Sequence, residues 1–240
     1  MALSFFYAII RRYKPKNELL FQIINGIWFG LVAVAAMMTP YEYSPGTIYD
    51  GRSIIITLAG LWGGGYTLII SAIISGIYRI YLGGVGIWAG LTTIVLCGLT
   101  GLCFRLTLKN RLSETKFYTF WLIGIVSHIF MLASQLLLPV GNFNILKVIW
   151  LPVILIFPII FSMLAQFFQF LEKYFNSNQE IWEAKELYRT TLLSIGDAVI
   201  CTDKEGLITH LNRVAEELTG WKFREAKGKH LEKVFKIINE

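Results

Sequence analysis

The 240-residue sequence contains few charged residues and few cysteines. Only 16% of its residues are charged, against about 25% in soluble domains, whereas 55% are hydrophobic. A soluble protein of this size could not cover its surface with so few charges, so the composition excludes an ordinary soluble domain. Three cysteines without a C-x-x-C pair make neither a disulfide framework nor a zinc site. Because no residues show metal-ligand spacing either, we predict no metal and no cofactor.

The positive net charge of +6 belongs to the hydrophobic part of the chain. Residues 1–171 contain 11 of the 22 Lys and Arg but only 4 of the 16 Asp and Glu. Nucleic-acid-binding proteins concentrate basic residues on a polar face, whereas here the basic residues flank hydrophobic runs. The charge distribution therefore predicts a membrane protein with a short polar tail and no nucleic-acid partner.

Five hydrophobic runs are long enough to cross a bilayer, which needs about 20 helical residues. A sixth run, residues 53–62, is short and is followed by three consecutive glycines, which favour a turn. We therefore predict an all-α polytopic membrane bundle of six passes, in which the second pass is short. The five long runs are residues 19–38, 64–82, 86–105, 117–138 and 145–171.

The basic residues also predict the orientation of the bundle. With six passes, eight Lys and Arg fall in the segments 1–18 and 105–116, and two fall in the three loops on the other side. Cytoplasmic loops are enriched in basic residues, so both termini are predicted in the cytoplasm of a prokaryotic cell, with the protein in the plasma membrane. The G-x-x-x-G pairs Gly26–Gly30 and Gly86–Gly90 predict close helix contacts.

Polar residues beside the predicted outer ends of the helices are candidates for ligand binding, because burying them in a membrane is costly. One interpretation is a small polar or anionic ligand, bound from the outer side, with Arg52 or Arg79 as its charge partner. The other is structural: Asp50 and Arg79 neutralise each other, Arg52 extends to lipid headgroups, and His128 makes a hydrogen bond within the bundle. The candidates are Tyr49, Asp50, Arg52, Arg79, Gly83, Gly84, Gly86, His128, Gln135 and Asn142.

The strings P-G-x-x-x-D-x-R at 45–52 and Y-R-x-x-x-G-G-x-G at 78–86 resemble the five-transmembrane receptor domain of the LYT type. The resemblance covers roughly residues 20–171. That domain is the sensor region of LytS-like histidine kinases and of some cyclic-di-GMP enzymes, so the resemblance implies sensing of an extracytoplasmic or intramembrane stimulus, often tied to the cell wall. A weaker resemblance to the substrate-binding S-components of vitamin importers implies a six-helix cup over a small ligand.

The end of the chain predicts a signalling helix and a second domain. Leu164, Phe168, Leu171, Phe175, Asn178 and Trp182 follow heptad spacing. This stripe predicts a homodimer through the last transmembrane helix and the signalling helix, although it could equally pack within its own chain. The segment from Ser194 to Trp221, with T-D-x-E-G at 202–206 and N-x-x-A-E at 212–216, resembles the N-terminal half of an α/β PAS domain. We expect a truncation of a longer receptor.

These patterns predict four segments: an interfacial segment at 1–18, a transmembrane sensor domain at 19–171, a signalling helix at 172–187 and a partial PAS domain at 188–240. The predicted function is a membrane receptor that binds a small ligand from outside and relays the signal to the PAS domain. The resemblance implies a histidine kinase of a two-component phosphorelay as the parent protein. The alternatives are a diguanylate cyclase output and a solute-binding importer subunit. No catalytic residue is predicted within these residues.

Overall fold

A computed structural model of the chain describes Tyr7 and residues 17–44, 47–138, 144–194 and 196–235. The chain divides into two units, Met1–Phe175 and Asn176–Glu240. We call them the sensor unit and the tail unit. The candidate ligand residue Asn142 lies outside the described residues.

Five helices in the described residues are long and apolar enough to cross a membrane. Four of them lie wholly in the sensor unit: α1 (Glu18–Met38), α3 (Gly65–Leu82), α4 (Ile87–Leu108) and α5 (Phe117–Ser134). The fifth, α6 (Asn144–Ser194), continues into the tail unit. The chain is therefore a multi-pass membrane protein, and the predicted α-helical membrane bundle is confirmed.

The segment that was predicted as the short second pass forms α2 (Arg52–Leu58) and a π-helical turn (Ala59–Gly63). Gly64 follows with φ +87°, a conformation that glycine adopts readily. The side chain of Arg105 donates from Nη1 to the carbonyl oxygens of Leu61 and Trp62, at 3.1 and 2.8 Å. These bonds satisfy two carbonyl oxygens at the C-terminal end of the π-helical turn, where the helix itself supplies no partner. The turn at the glycines was predicted, whereas the π-helical turn was not.

Small residues allow the helices of the sensor unit to lie close together. A methyl group on Gly26 would meet Ile70 Cβ at 2.7 Å, and one on Gly30 would meet Ile74 Cβ at 2.9 Å. The predicted close contact at this G-x-x-x-G pair is therefore present, between α1 and α3.

Two short strands, β1 (Tyr41–Ser44) and β2 (Thr47–Tyr49), pair antiparallel between α1 and α2. We call the side of the sensor unit that holds this hairpin and the turn at Gly83–Gly86 the hairpin end.

The long helix α6 contains 51 residues and runs through Pro152 and Pro158 without interruption. At 1.5 Å per residue it is about 77 Å long, more than twice the thickness of the hydrocarbon core. In its membrane half, Phe168 and Leu171 are buried in one apolar cluster with Tyr7 and Phe29. This part of the predicted heptad stripe packs within its own chain, which was the alternative that the sequence left open. The homodimer itself stays a prediction.

The tail unit contains the antiparallel pair β3 (Ile200–Thr202) and β4 (Ile208–Leu211), followed by three short helices. Asn212 holds the two strands to the next helix: its Oδ1 accepts from the N–H groups of Val199 and Ala215, both at 2.9 Å. Its Nδ2 donates to the carbonyl of Asp197 at 2.8 Å. The short helices are α7 (Arg213–Thr219), α8 (Phe223–Ala226) and α9 (Leu231–Val234).

Candidate functional site

A small cavity lies at the hairpin end of the sensor unit, with a volume of about 10 Å³. Its wall is formed by residues from β2, α2, α3, α4 and α5 and from the turns beside them. The cavity therefore lies where four helices and the β hairpin contact one another. The lining residues are Ile48, Tyr49, Asp50, Arg52, Ser53, Arg79, Gly86, Ala89, Gly90, Thr93, Met131, Gln135 and Leu138.

Asp50 and Arg52 form a buried ion pair in the wall of this cavity. The backbone N–H of Arg52 donates to Asp50 Oδ1 at 2.9 Å, and Arg52 Nε lies 3.6 Å from the same oxygen. The second carboxylate oxygen, Oδ2, is buried and has no hydrogen-bond partner among the described residues. Burial raises the pKa of Asp50, and the positive charge of Arg52 partly offsets this rise. The guanidinium of Arg52 also donates from Nη1 to Met37 Sδ at 2.9 Å.

Arg79 brings a second guanidinium to the cavity from the last turn of α3. Only 1% of the residue is exposed, and its Nη1 donates to the carbonyl oxygen of Gly83 at 2.7 Å. Gly83 and Gly84 have φ values of +69° and +83°, so the turn that supplies this carbonyl depends on glycine. A methyl group on Gly90 of α4 would lie 2.5 Å from Arg79 Nε. The missing side chain of Gly90 therefore provides the space that Arg79 occupies.

A chain of hydrogen-bonded polar side chains also contributes to the cavity wall. The hydroxyl of Tyr49 donates to Gln135 Oε1 at 3.0 Å, and Gln135 Nε2 donates to Ser134 Oγ at 3.0 Å. Thr93 Oγ1 lies 2.6 Å from Ser134 Oγ. These bonds join β2 to the end of α5 and to α4, so a ligand in the cavity would contact three elements through one network.

His128 lies behind the cavity wall and does not line it. Its Nδ1 is 2.7 Å from the carbonyl oxygen of Gly124, which can only accept a hydrogen bond, so we assign the proton to Nδ1. Nε2 then accepts from the hydroxyl of Ser53 at 3.2 Å. The ring of His128 also meets the ring of Phe157 edge to face, with centroids 5.3 Å apart. His128 thus connects a cavity residue to α6.

The structure brings together most of the residues that were proposed from the sequence as ligand contacts. Gly83 accepts the bond from Arg79, Gly84 is a turn residue, and His128 is one hydrogen bond away from the cavity through Ser53. Whether any of these residues binds a ligand stays a prediction. The predicted residues in the cavity wall are Tyr49, Asp50, Arg52, Arg79, Gly86 and Gln135.

Sequence reasoning did not identify Ser53, Gly90, Thr93 or Met131 as parts of the site. Gly90 was noted only as half of a G-x-x-x-G pair, and its contact with Arg79 gives that glycine a second role. The other three are ordinary residues for a transmembrane helix, and no local pattern distinguishes them. Among the described residues, no group of three or more His, Cys, Asp and Glu side chains could hold a metal ion.

The comparison with known families gives the same division of the chain as the structure. The family model described as the 5TMR of 5TMR-LYT matches residues 4–170, which is more than half of the chain. The chain belongs to the 5TMR-LYT family. A second model, described as the PAS fold, matches residues 186–238. This 5TMR-LYT chain is therefore a membrane sensory signalling protein with a PAS segment, as the resemblances predicted.

One curated relative shares a short part of this 5TMR-LYT chain. It is named "Probable diguanylate cyclase DgcE", from Escherichia coli, and is 45% identical over 51 residues. The match covers 21% of this chain and 5% of the relative. No solved structure matches the chain significantly.

Proposed function

We propose that the 5TMR-LYT unit is a receptor for a small anion, which binds in the cavity between Arg52 and Arg79 and changes the position of α6. The observation that carries this proposal is the charge of the cavity wall. Two guanidinium groups and one carboxylate line it, and Arg52 and Arg79 are 6% and 1% exposed. The lining residues thus have a formal charge of +1 in a site with little access to water.

A buried positive charge favours an anionic ligand for a physical reason. Transferring an ion from water into protein costs several kcal/mol after relaxation, and a charge of opposite sign offsets part of this cost. Guanidinium groups also present donors in a planar fork that matches carboxylate and phosphate oxygens. The hydroxyl of Thr93 and the amide of Gln135 supply further polar contacts in the wall.

The cavity is connected to α6 by direct packing. Four of its lining residues, Tyr49, Ala89, Met131 and Leu138, belong to one apolar cluster with Ile149 and Val153 of α6. The cavity has room for about one water molecule, so an entering anion would push these walls apart, and the outer part of α6 would move with them. Because α6 continues as one helix to Ser194, a change in the populations of two arrangements of this helix would reach the PAS segment.

The signal would pass from the outside to the cytoplasm. In this proposal the hairpin end faces outwards from a prokaryotic plasma membrane, and both termini are cytoplasmic, as the distribution of Lys and Arg favours. Substituted cysteines test this orientation in a chain with Cys103→Ser and Cys201→Ser. We expect an impermeant maleimide to label Val85→Cys in intact cells and to label Glu114→Cys only after lysis. The reverse pattern would contradict the orientation.

Two outputs of the parent protein are compatible with this receptor. The LYT-type resemblance favours a histidine kinase of a two-component phosphorelay, with a link to the cell wall. The short similarity to a protein named as a probable diguanylate cyclase favours a cyclase. A solute-binding importer subunit is less well supported, because such a subunit has no use for a PAS segment.

The anion proposal is tested by ligand-induced stabilisation of the full chain in lipid nanodiscs. The probes are formate, acetate, sulfate and inorganic phosphate, each against a gluconate reference. A ligand at about 100 times its Kd adds about 2.7 kcal/mol to the free energy of unfolding, which raises Tm measurably. We expect one or more of the probes to raise Tm of the wild type and not of Arg52→Gln or Arg79→Gln.

The control is Arg111→Gln, which removes an exposed arginine far along the chain from the cavity residues. This variant should respond to the probes as the wild type does. Equal stabilisation of Arg52→Gln, Arg79→Gln and the wild type would contradict the proposal, because the anion would then bind elsewhere.

A further inference from the structure

A buried glutamine of α6 holds the turn between α4 and α5, residues 109–116, which we call the α4–α5 turn. The side chain of Gln169 donates from Nε2 to three carbonyl oxygens of this turn, and the residue is 8% exposed. The acceptors are Leu112 at 3.1 Å, Ser113 at 2.9 Å and Thr115 at 2.9 Å. One amide group, with two N–H donors, is thus shared among three carbonyls of a segment that is distant in the sequence.

The buried face of α6 between the cavity and Gln169 offers mainly apolar contacts. From 146 to 168 its buried residues are apolar, apart from Ser162, whose hydroxyl donates to the carbonyl oxygen of Pro158 in the same helix. Hydrophobic contact is non-directional, whereas a hydrogen bond weakens steeply outside a narrow range of distance and angle. The bonds of Gln169 therefore fix the height and the rotation of α6 against the α4–α5 turn more sharply than the apolar contacts do.

The α4–α5 turn is itself constrained where it begins. Lys109 has φ +41°, a conformation that is uncommon for a residue with a side chain. Such conformations persist only where the surrounding structure holds them, and they cluster at segments that switch. Two contacts hold this turn to α6: the bonds of Gln169, and Leu112, which is buried in one apolar cluster with Phe168. The turn can therefore rearrange if Gln169 withdraws.

The turn and the cavity lie at opposite ends of the sensor unit. Helix α4 begins at the hairpin end and reaches the turn 22 residues later. Along α6, Gln169 follows Val153, which packs with cavity residues, by about 24 Å at 1.5 Å per residue. A movement of α6 that starts at the cavity therefore meets directional hydrogen bonds at Gln169, close to Glu172, where charged residues become frequent.

We propose that Gln169 and the α4–α5 turn form a latch, which holds α6 in its unliganded arrangement and opens when the cavity binds an anion. The latch rests on the anion receptor proposed above and adds the contact that opposes its movement. Binding energy at the cavity would be spent in part on breaking the bonds of Gln169. A chain without these bonds would therefore populate the binding arrangement more often and bind an anion more tightly.

Anion affinity tests the latch from the far end of the sensor unit. Gln169→Met keeps the length of the side chain and removes its donors. We expect the Kd of the most stabilising probe among formate, acetate, sulfate and inorganic phosphate to fall about three- to tenfold. The measurement is the concentration dependence of Tm for the full chain in nanodiscs. The matched control is Gln179→Met, which replaces an exposed glutamine of the same helix that donates to Glu183 and should leave Kd unchanged. A Gln169→Met chain with a lower Tm and an unchanged Kd would overturn the latch, because the glutamine would then be structural only.

A distance measurement tests the latch without any ligand. Spin labels at Arg111→Cys in the turn and at Lys173→Cys on α6, both exposed positions, report the distance between the two elements. The background carries Cys103→Ser and Cys201→Ser, and the buried Cys97 stays. The full chain is diluted with unlabelled chain in nanodiscs, so that only distances within one chain are measured.

We expect one main distance in the labelled chain and in its Gln179→Met variant, and a second distance in Gln169→Met, all without anion. A saturating probe anion should produce the same second distance while Gln169 is intact. If no probe binds the wild type, the receptor proposal fails, whereas a second distance in Gln169→Met still supports the hold of Gln169 on α6. A single, unchanged distance in Gln169→Met would overturn the latch whether or not an anion binds.

Discussion

Gly90 of α4 faces the guanidinium of Arg79 so closely that a methyl group at this position would lie 2.5 Å from Nε and 2.9 Å from Cδ. The arginine therefore occupies the space that a larger residue at 90 would fill. This contact explains how a charged side chain from α3 reaches the cavity across the adjacent helix.

The first prediction follows from this contact. Gly90→Ala forces Arg79 to move, so the affinity for the anion that stabilises the wild type should fall about tenfold, which corresponds to about 1.4 kcal/mol. Titration of the full chain in nanodiscs measures this change. Gly76→Ala is the matched control, because a methyl group there meets only Leu91 Cδ2, at the ordinary distance of 3.6 Å. An unchanged affinity in Gly90→Ala would mean that Arg79 does not contribute to anion binding.

The second prediction concerns pH. Burial raises the pKa of Asp50, so the carboxyl gains a proton as the pH falls through this raised value. The formal charge of the lining residues then rises from +1 to +2, and the affinity for an anion should increase on the acidic side. Methanesulfonate is a suitable probe, because it stays an anion throughout.

Asp50→Asn should fix the high-affinity state at all pH values. The amide oxygen can still accept the N–H of Arg52, so the loop is retained while the charge is lost. We expect an affinity about tenfold higher than that of the wild type at neutral pH, and a flat pH profile. A variant that keeps the acidic increase would show that another group titrates.

The third prediction concerns the bond between Ser53 and His128, which links the cavity wall to the helix bundle. Removing the hydroxyl leaves Nε2 of a buried histidine without its donor, so Ser53→Ala should lower the free energy of unfolding by about 1 kcal/mol. Ser75→Ala is the control, because the hydroxyl of Ser75 bonds only to carbonyls of its own helix among the described contacts. Thermal unfolding in detergent compares the two variants.

A double-mutant cycle with His128→Phe isolates this bond. The phenylalanine keeps an aromatic ring beside Phe157 and removes the acceptor. If the bond stabilises the sensor unit, Ser53→Ala should lower the free energy of unfolding clearly less in the His128→Phe background than in the wild type. Additive effects would mean that the two residues act independently.

The fourth prediction concerns the tail unit. Asn212 accepts from Val199 and Ala215 and donates to Asp197, so Asn212→Ala removes a helix cap and two links to the preceding segment. We expect local stability to fall by about 2 kcal/mol, which speeds amide exchange about 30-fold in β3 and β4. Hydrogen exchange of the full chain measures this change. The neighbouring variant Arg213→Ala removes only an exposed ion pair and should leave the exchange nearly unchanged.

The membrane spans could be predicted from the sequence because the bilayer imposes a length and a composition on every crossing helix. The turn at Gly63-Gly64-Gly65 was predicted for a similar reason, since backbone conformation there depends on the residues themselves. The π-helical turn Ala59–Gly63 could not be predicted in the same way. At this turn Gly60 and Gly101 pack closely against the facing backbones of α4 and α2, a contact between segments that are distant in the sequence.

The residues of the candidate site also divide into those that the sequence identifies and those that only packing brings into the site. Arg52 and Arg79 were identified because a charge in or beside a bilayer is costly wherever it lies in the fold. Ser53, Gly90 and Thr93 were not, because small and hydroxyl-bearing residues are frequent at helix contacts and become part of a site only when other helices are placed against them.

The last helix illustrates where pattern alone is insufficient. The sequence of α6 contains the heptad stripe from Leu164 to Trp182, and its periodicity does not say whether this stripe packs in the chain's own core or against a second copy. The structure assigns Phe168 and Leu171 to the core and leaves Ile181 and Tyr188 exposed. The reason is that helical spacing defines the faces of a helix, whereas the choice between them depends on which neighbouring helices bury the larger apolar area.

The sequence by itself determined that this protein crosses a membrane, which segments are long and apolar enough to cross it, and that two arginines accompany one aspartate near the end of the bundle. Hydropathy, glycine conformation and the cost of charge are properties of short segments, so they can be read without a fold. Only the tertiary structure decided that Asp50, Arg52 and Arg79 share one cavity, since these residues come from two helices and a loop whose contacts depend on packing between distant segments.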